Sequence, residues 1–318
     1  MNSYRDPISR LLGSLPRHAI YPMIQTVIGI ITLFISYRVL VSNEGLEKVG
    51  LWSILTAGSA LARFADVSGS GVLTRFVARE NYPKGRVREY IHTVILTSIC
   101  VNGSICFLAY YLSPFFLQKL TEPDYTRYLE VATSIIPFVI VNTIFLPPIV
   151  SALSSSLDGL NRINLRAIVV SISSVIMLIL VIFLVPVGGI EGYVLALLLQ
   201  NILLVVSFWF CLRSEVSDLG VFPSIWSAEA FRATFKFGLK LQSISVFNLA
   251  TEPLAKFLVA NTGGLSSVAV YDLALKVVIQ TKGILASAFQ SLVAATAMHK
   301  TESAKLSQIG SSALESSL

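Results

Sequence analysis

The residues with chemistry to offer are few, and most lie inside apolar runs. Arg63 and Asp66 are three apart in the stretch LARFADVSGSG at 61–71. Glu252 and Lys256 are four apart in one later run, and Asp272 and Lys276 are four apart in the next. Those spacings place both side chains on one helix face, so each acid and base can neutralise the other. Lys282 has no acid three or four residues away on either side. A lone cation in hydrocarbon costs on the order of 2.5–3.5 kcal/mol on insertion scales, so it must face protein or water rather than lipid. Two amides, Gln25 and Gln242, complete the set. This is binding chemistry: cations that can hold an anion, and a set for a coupling proton or Na+ made of Glu252, Asp272 and Lys276. His18, His92 and His299 are scattered, and Cys100, Cys106 and Cys211 show no metal-ligand or disulfide spacing. No catalytic residue, metal or cofactor is expected.

The elements that position these groups must be membrane helices. Of 318 residues, 54% are hydrophobic and only 13% charged, with a mean hydropathy of +0.74. Soluble domains carry about 25% charged residues. The apolar runs are long enough to cross a hydrocarbon core roughly 30 Å thick. The fold class is therefore all-α, a polytopic membrane protein with about eight transmembrane helices. They are expected at 19–41, 49–78, 91–118, 129–156, 164–187, 190–212, 235–260 and 268–297. Pro114, Pro137, Pro147 and Pro148 predict kinks in or beside the third and fourth. The first run is too long for a signal peptide.

The net charge of +6 points to loops facing the cytoplasm rather than to a nucleic-acid partner, because such loops collect Lys and Arg. Sixteen of the 24 basic residues fall on one side of the predicted topology. They include Arg5, Arg10 and Arg17 in the tail and the cluster from Arg75 to Arg88. Five fall on the other side: Arg38, Lys48, Lys119, Arg127 and Lys256, the last expected to snorkel outward. Both termini are therefore expected in the cytoplasm. The organisation reads as a tail (1–18), a six-helix bundle (19–212), a cytoplasmic linker (213–234), the first two helices of a second bundle (235–297) and a tail (298–318). In the linker, Trp226 and Phe231 suit the headgroup level.

An internal repeat supports that division. RVLVSNEGLEKVGLW from Arg38 parallels KFLVANTGGLSSVAVY from Lys256. Arg38 pairs with Lys256 and Asn43 with Asn261 at an offset of 218; after one inserted residue, Trp52 pairs with Tyr271 at 219. With both copies in the same topology, the repeat is parallel, about an axis along the membrane normal. The 219 offset also carries Arg63 onto Lys282. Taking Trp52 and Tyr271 as interfacial, both cations lie 11 residues, roughly 16 Å, further in and near the midplane. Matched cations predict a central, anion-attracting cavity, with Gln25 and Gln242 at nearly matching positions in its wall. The small residues SGSG at 68–71 suit close helix packing.

Three stretches carry a family resemblance: VGLWSILTAGSALARFADVSGSGVLTRFVA from Val49, SSSLDGLNRINLRA at 154–167, and FKFGLKLQSISVFNLATEPLAKFLVANTGGLSSVAVYDLALKVV at 235–278. They resemble the second helix, the link between helices four and five, and helices seven and eight of polysaccharide and oligosaccharide-lipid flippases. That superfamily also includes multidrug/cation exporters and lipid II flippases. The resemblance implies twelve to fourteen helices in two bundles forming a V around a cationic cavity. It implies a cargo of undecaprenyl-diphosphate-linked oligosaccharide moved by alternating access across the bacterial inner membrane. It also implies membrane lipid and the polysaccharide polymerase or chain-length machinery as partners. Arg63 would meet the diphosphate, with Lys282 opposite. This sequence departs from the pattern by stopping after helix eight, which is expected to mark a truncated product or one that pairs with a separate fragment.

Overall fold

Apolar runs this long have one way to satisfy their backbone in lipid, which is to bond within each segment. The computed structural model describes residues 17–60, 72–78, 84–120 and 129–298, less the side chains of 17–19, 58–60, 84, 116–120, 241–250 and 284–298. Its helices are α1 (Arg17–Ala60), α2 (Val72–Val77), α3 (Lys84–Leu120), α4 (Leu129–Ile140), a π turn (Val141–Phe145), α5 (Leu146–Gly159), α6 (Ile163–Glu215) and α7 (Ala228–Met298).

Three of these helices break at one residue each: Gly45 in α1 (φ 76°, ψ 169°), Gly189 in α6 (φ 56°, ψ −133°) and Gly264 in α7 (φ 71°, ψ −178°). Only glycine enters that region without a Cβ penalty. At Gly264 the chain doubles back. Lys256 and Asp272, 16 residues apart and about 24 Å distant along a straight helix, approach to 2.6 Å. At Gly189 it does the same, because a Cβ on Gly192 would overlap the carbonyl of Leu184. The loops expected at 42–48 and 261–267 are thus each reduced to a glycine hinge. Among the described residues five helical spans are long and apolar enough to cross a membrane, and three of them are hinged.

The hinges share one face of the molecule. The Glu44 carboxylate fills the place a Cβ on Gly189 would need, and Gly50 packs its backbone against that of Leu265. Beneath them an apolar core joins α1, α4, α6 and α7 through Tyr37, Trp52, Ile135, Val181, Tyr193 and Ala269.

At the opposite end a second core joins α2, α3, α5 and α6 through Leu73, Ile91, Leu157, Phe208 and Leu212. The connection 216–227 is docked there. Buried His92 lies with Nε2 2.8 Å from the Leu219 carbonyl, and the Ser227 N–H donates to Thr93 Oγ1 at 3.1 Å. Trp226 is about half exposed and packs on Phe231. Ion pairs Arg166–Asp158 (2.7 Å) and Arg162–Glu215 (2.9 Å) mark the same end.

Between α4 and α5 the π turn precedes Pro147 and Pro148, which lack the N–H groups an α-helix would use there. The Leu146 N–H reaches five residues back to Val141 O. Within the turn Asn142 is buried and accepts from Asn201 Nδ2 at 2.5 Å.

Candidate functional site: a charge network beneath the hinges

Folding α7 at Gly264 sets its residues into rungs. Lys256 and Asp272 each lie eight residues from the hinge, about 12 Å down; Glu252 and Lys276 each lie twelve, about 18 Å down. In α1, Tyr37 lies eight residues before Gly45. The two i,i+4 couples therefore face one another across the hairpin and merge.

Asp272 is the centre of the network. Lys256 Nζ is 2.6 Å from its Oδ1, though not aligned as a hydrogen bond. Lys276 Nζ is 2.7 Å from Oδ2, and the Tyr37 hydroxyl donates to that same oxygen at 2.6 Å. Lys276 also donates to the Tyr37 oxygen, and its ammonium stands 4.3 Å from the Tyr37 ring centroid. Lys256 reaches back to Glu252 at 2.8 Å. With every group ionised the four charges cancel. Cancellation matters because stripping water from one ion costs several kcal/mol, which only good pairing offsets.

The rungs differ in access. Tyr37, Lys256 and Asp272 are buried, at 2%, 3% and 1% exposure. The Lys276 and Glu252 side chains are open, at 29% and 40%. The network is thus sealed toward the hinges and more open further from them. Among the described residues no group of three or more His, Cys, Asp or Glu could hold a metal ion.

The family described as "Polysaccharide biosynthesis protein" matches residues 16–295. This chain belongs to the polysaccharide biosynthesis protein family. No curated protein sequence matches it. Several solved structures share its fold. A MOP superfamily transporter from Pyrococcus furiosus, described as having a binding pocket of reversed polarity, aligns at 15% identity with a TM-score of 0.62 over 90% of this chain and 65% of its own. An outward-facing multidrug resistance MATE transporter gives 15% and 0.63, covering 90% and 66%. An inward-facing MATE transporter gives 16% and 0.61, covering 85% and 64%. The chain therefore has the MOP superfamily fold and spans just under two thirds of the length of these structures.

Several sequence expectations change against this geometry. Lys256 does not snorkel: Asp272, on the facing arm of the hairpin, draws its ammonium inward. The outward-side basic count accordingly falls from five to four. Arg38, matched to Lys256 by sequence, is exposed, and the residue at Lys256's distance from its hinge is Tyr37. Trp52 is not an interfacial anchor. It is 3% exposed and packs edge-on against Tyr193 at 5.6 Å. Trp52 and Tyr271 do each lie seven residues past their hinge glycine, and Gly45 and Gly264 share nearly the same backbone angles. The repeat's register therefore holds while the depth scale shifts. Lys282, exposed, lies 18 residues or about 27 Å from the hinge, toward the far side. Lys276 lies twelve residues or about 18 Å from the hinge, six residues nearer to it than Lys282.

Of the other expected site residues, Gln25 is half-buried on α1, and its buried Oε1 has no hydrogen-bond partner among the described residues. Gln242 is on α7 with its side chain outside the description, and Arg63, Asp66 and 68–71 lie outside the described residues. Tyr37 and Lys256 are network members that sequence reasoning did not assign to the site. The available signal was Tyr37's position, equal in distance from Gly45 to that of Lys256 from Gly264.

Proposed function

We propose that this membrane protein acts in translocating an undecaprenyl-diphosphate-linked oligosaccharide across the bacterial inner membrane, for O-antigen, capsule or exopolysaccharide synthesis. In this reading both termini are cytoplasmic, in keeping with the basic residues away from the hinges. Residues 19–212 form one bundle and 235–297 open a second, between which access alternates. The observation that carries the reading is Lys276, a partly exposed ammonium near the midplane, on the open side of the α7 charge network. Such a cation is costly unless it has work to do, and a diphosphate or acidic sugar is its natural ligand. Lys282 extends the cationic surface away from the hinges, Arg63 would meet the diphosphate as the sequence resemblance implies, and Gln25 offers an amide to a sugar hydroxyl.

A drug or cation exporter of the same superfamily is the second reading. It calls for a free carboxylate, whereas both Asp272 oxygens face ammonium groups and Glu252 is held by Lys256. That occupancy disfavours Na+ and a proton alike at Asp272. An enzymatic reading, as a glycosyltransferase or polymerase, is less favoured: among the described residues no group of three or more His, Cys, Asp or Glu could hold a metal ion.

Complementation tests the proposal. The chain is expressed in a strain lacking its own O-unit or exopolysaccharide flippase, and surface polysaccharide is assayed. Restored polymer that is lost in Lys276→Met is the expected result. Polymer unaffected by Lys276→Met, Lys282→Ala and Arg63→Ala would overturn the cationic-cavity reading.

A further inference from the structure

The charge network crosses between α1 and α7. All four charged groups belong to α7, and Tyr37 brings α1 into contact with them. We propose that Tyr37 and Lys276 form a latch between the two helices, which an anionic headgroup releases by engaging Lys276. The inference rests on the anion-transport reading above and adds a conformational role for the same cation.

Three observations carry it. First, the seam above the latch is tight: a Cβ on Gly50 would overlap the backbone of Leu265. Ala269 is 2% exposed and shares its buried cluster with Tyr37, Val49 and Trp52. α1 and α7 are therefore closed against each other from the hinges down to Tyr37. Secondly, the Tyr37 hydroxyl is used twice, donating to Asp272 and accepting from Lys276. Losing either group loosens the polar link. Thirdly, Lys276 is the open cation of the network. An anion reaching it competes with the Tyr37 oxygen and the Asp272 carboxylate for the same Nζ protons.

The second lysine makes that exchange affordable. When Lys276 turns to an arriving anion, Asp272 keeps Lys256 at 2.6 Å, so no buried carboxylate is left without a counter-charge. With one lysine, ligand capture would strand Asp272 at a cost of several kcal/mol. Glu252, at the depth of Lys276, is held by Lys256, which offsets its repulsion of the arriving anion.

The test uses the full chain in proteoliposomes, with Cys100, Cys106 and Cys211 changed to Ala and Ala269→Cys introduced as a reporter at the seam. Labelling by a membrane-impermeant maleimide is timed from each side. Tyr37→Phe is expected to speed labelling from the hinge side about tenfold, the shift equivalent to one hydrogen bond to a charged group. Lys276→Met, which leaves Asp272 paired with Lys256, is expected to do the same and serves if Tyr37→Phe fails to fold. Unchanged labelling in both variants overturns the latch. Farnesyl diphosphate, the anionic probe, is expected to speed labelling of the parent several-fold and to leave Lys276→Met unaffected. Acceleration by Tyr37→Phe with no response to farnesyl diphosphate overturns anion release and counts against the anion-transport reading, while the latch between helices stands.

Discussion

Replacing Asp272 with Asn gives the sharpest view of what holds the hinge-side half together. Asp272 is 1% exposed and answers two ammonium groups, one of them on a lysine 3% exposed. Asn keeps the volume and one acceptor but removes the charge. Lys276 can relax toward its open side. Lys256 cannot, and keeps only Glu252 at 2.8 Å. Breaking a buried ion pair by removing one partner costs about 3–5 kcal/mol. At about 2 °C per kcal/mol for larger domains, the unfolding midpoint should fall by roughly 6–10 °C. Lys256→Met should cost less, about 1.5–3 kcal/mol, because Asp272 retains Lys276 and Tyr37. The double variant should lose clearly less than the sum of the two single losses, the signature of coupled sites. Thermal unfolding of the purified protein in detergent measures all three. An Asp272→Asn loss of under about 0.5 kcal/mol, typical of a surface change, would refute the buried network.

Other expectations follow from the hinges and the far end. Gly189→Ala should cost roughly 1–3 kcal/mol through its positive φ and its overlap with the Glu44 carboxylate. Adding Glu44→Ala should return part of that loss in the same melting assay, and none if the strain is confined to the backbone. His92→Ala should remove the bond to Leu219 and expose the 216–227 connection, costing about 1–3 kcal/mol. Limited proteolysis should then cut within that connection and spare the parent protein. Asn142→Leu strands the Asn201 amide in the membrane and should cost on the order of 1 kcal/mol, read as a lower melting temperature.

The helices were legible because their apolar runs have the length a bilayer demands, and both i,i+4 couples on α7 were legible from spacing alone. What sequence reasoning missed follows from one local misreading. The gaps between the expected apolar runs, 42–48 and 261–267, implied seven-residue loops, which placed Lys256 close to water and Trp52 at an interface. A single glycine at positive φ makes the turn instead. Lys256 is then eight residues from it, level with Asp272 and beyond easy reach of the surface. The same shift moves Lys282 away from the midplane and puts Lys276 near it. Tyr37 was hidden for a different reason. One hydroxyl in an apolar helix identifies no partner until the neighbouring hairpin supplies a carboxylate and an ammonium. The repeat signal did survive, because the hinge glycines occupy equivalent places in both copies.

The central claim is that Lys276 receives the anionic part of a lipid-linked cargo, and transbilayer movement tests it most directly. Proteoliposomes containing the chain would be loaded with a fluorescent isoprenoid-diphosphate oligosaccharide, and its arrival in the opposite leaflet followed by quencher accessibility. Protein-dependent movement should fall at least about tenfold in Lys276→Met, roughly 1.4 kcal/mol of lost interaction, while Lys236→Met, an exposed change on α7, leaves it unaltered. Equal movement in Lys276→Met and the parent protein would contradict it.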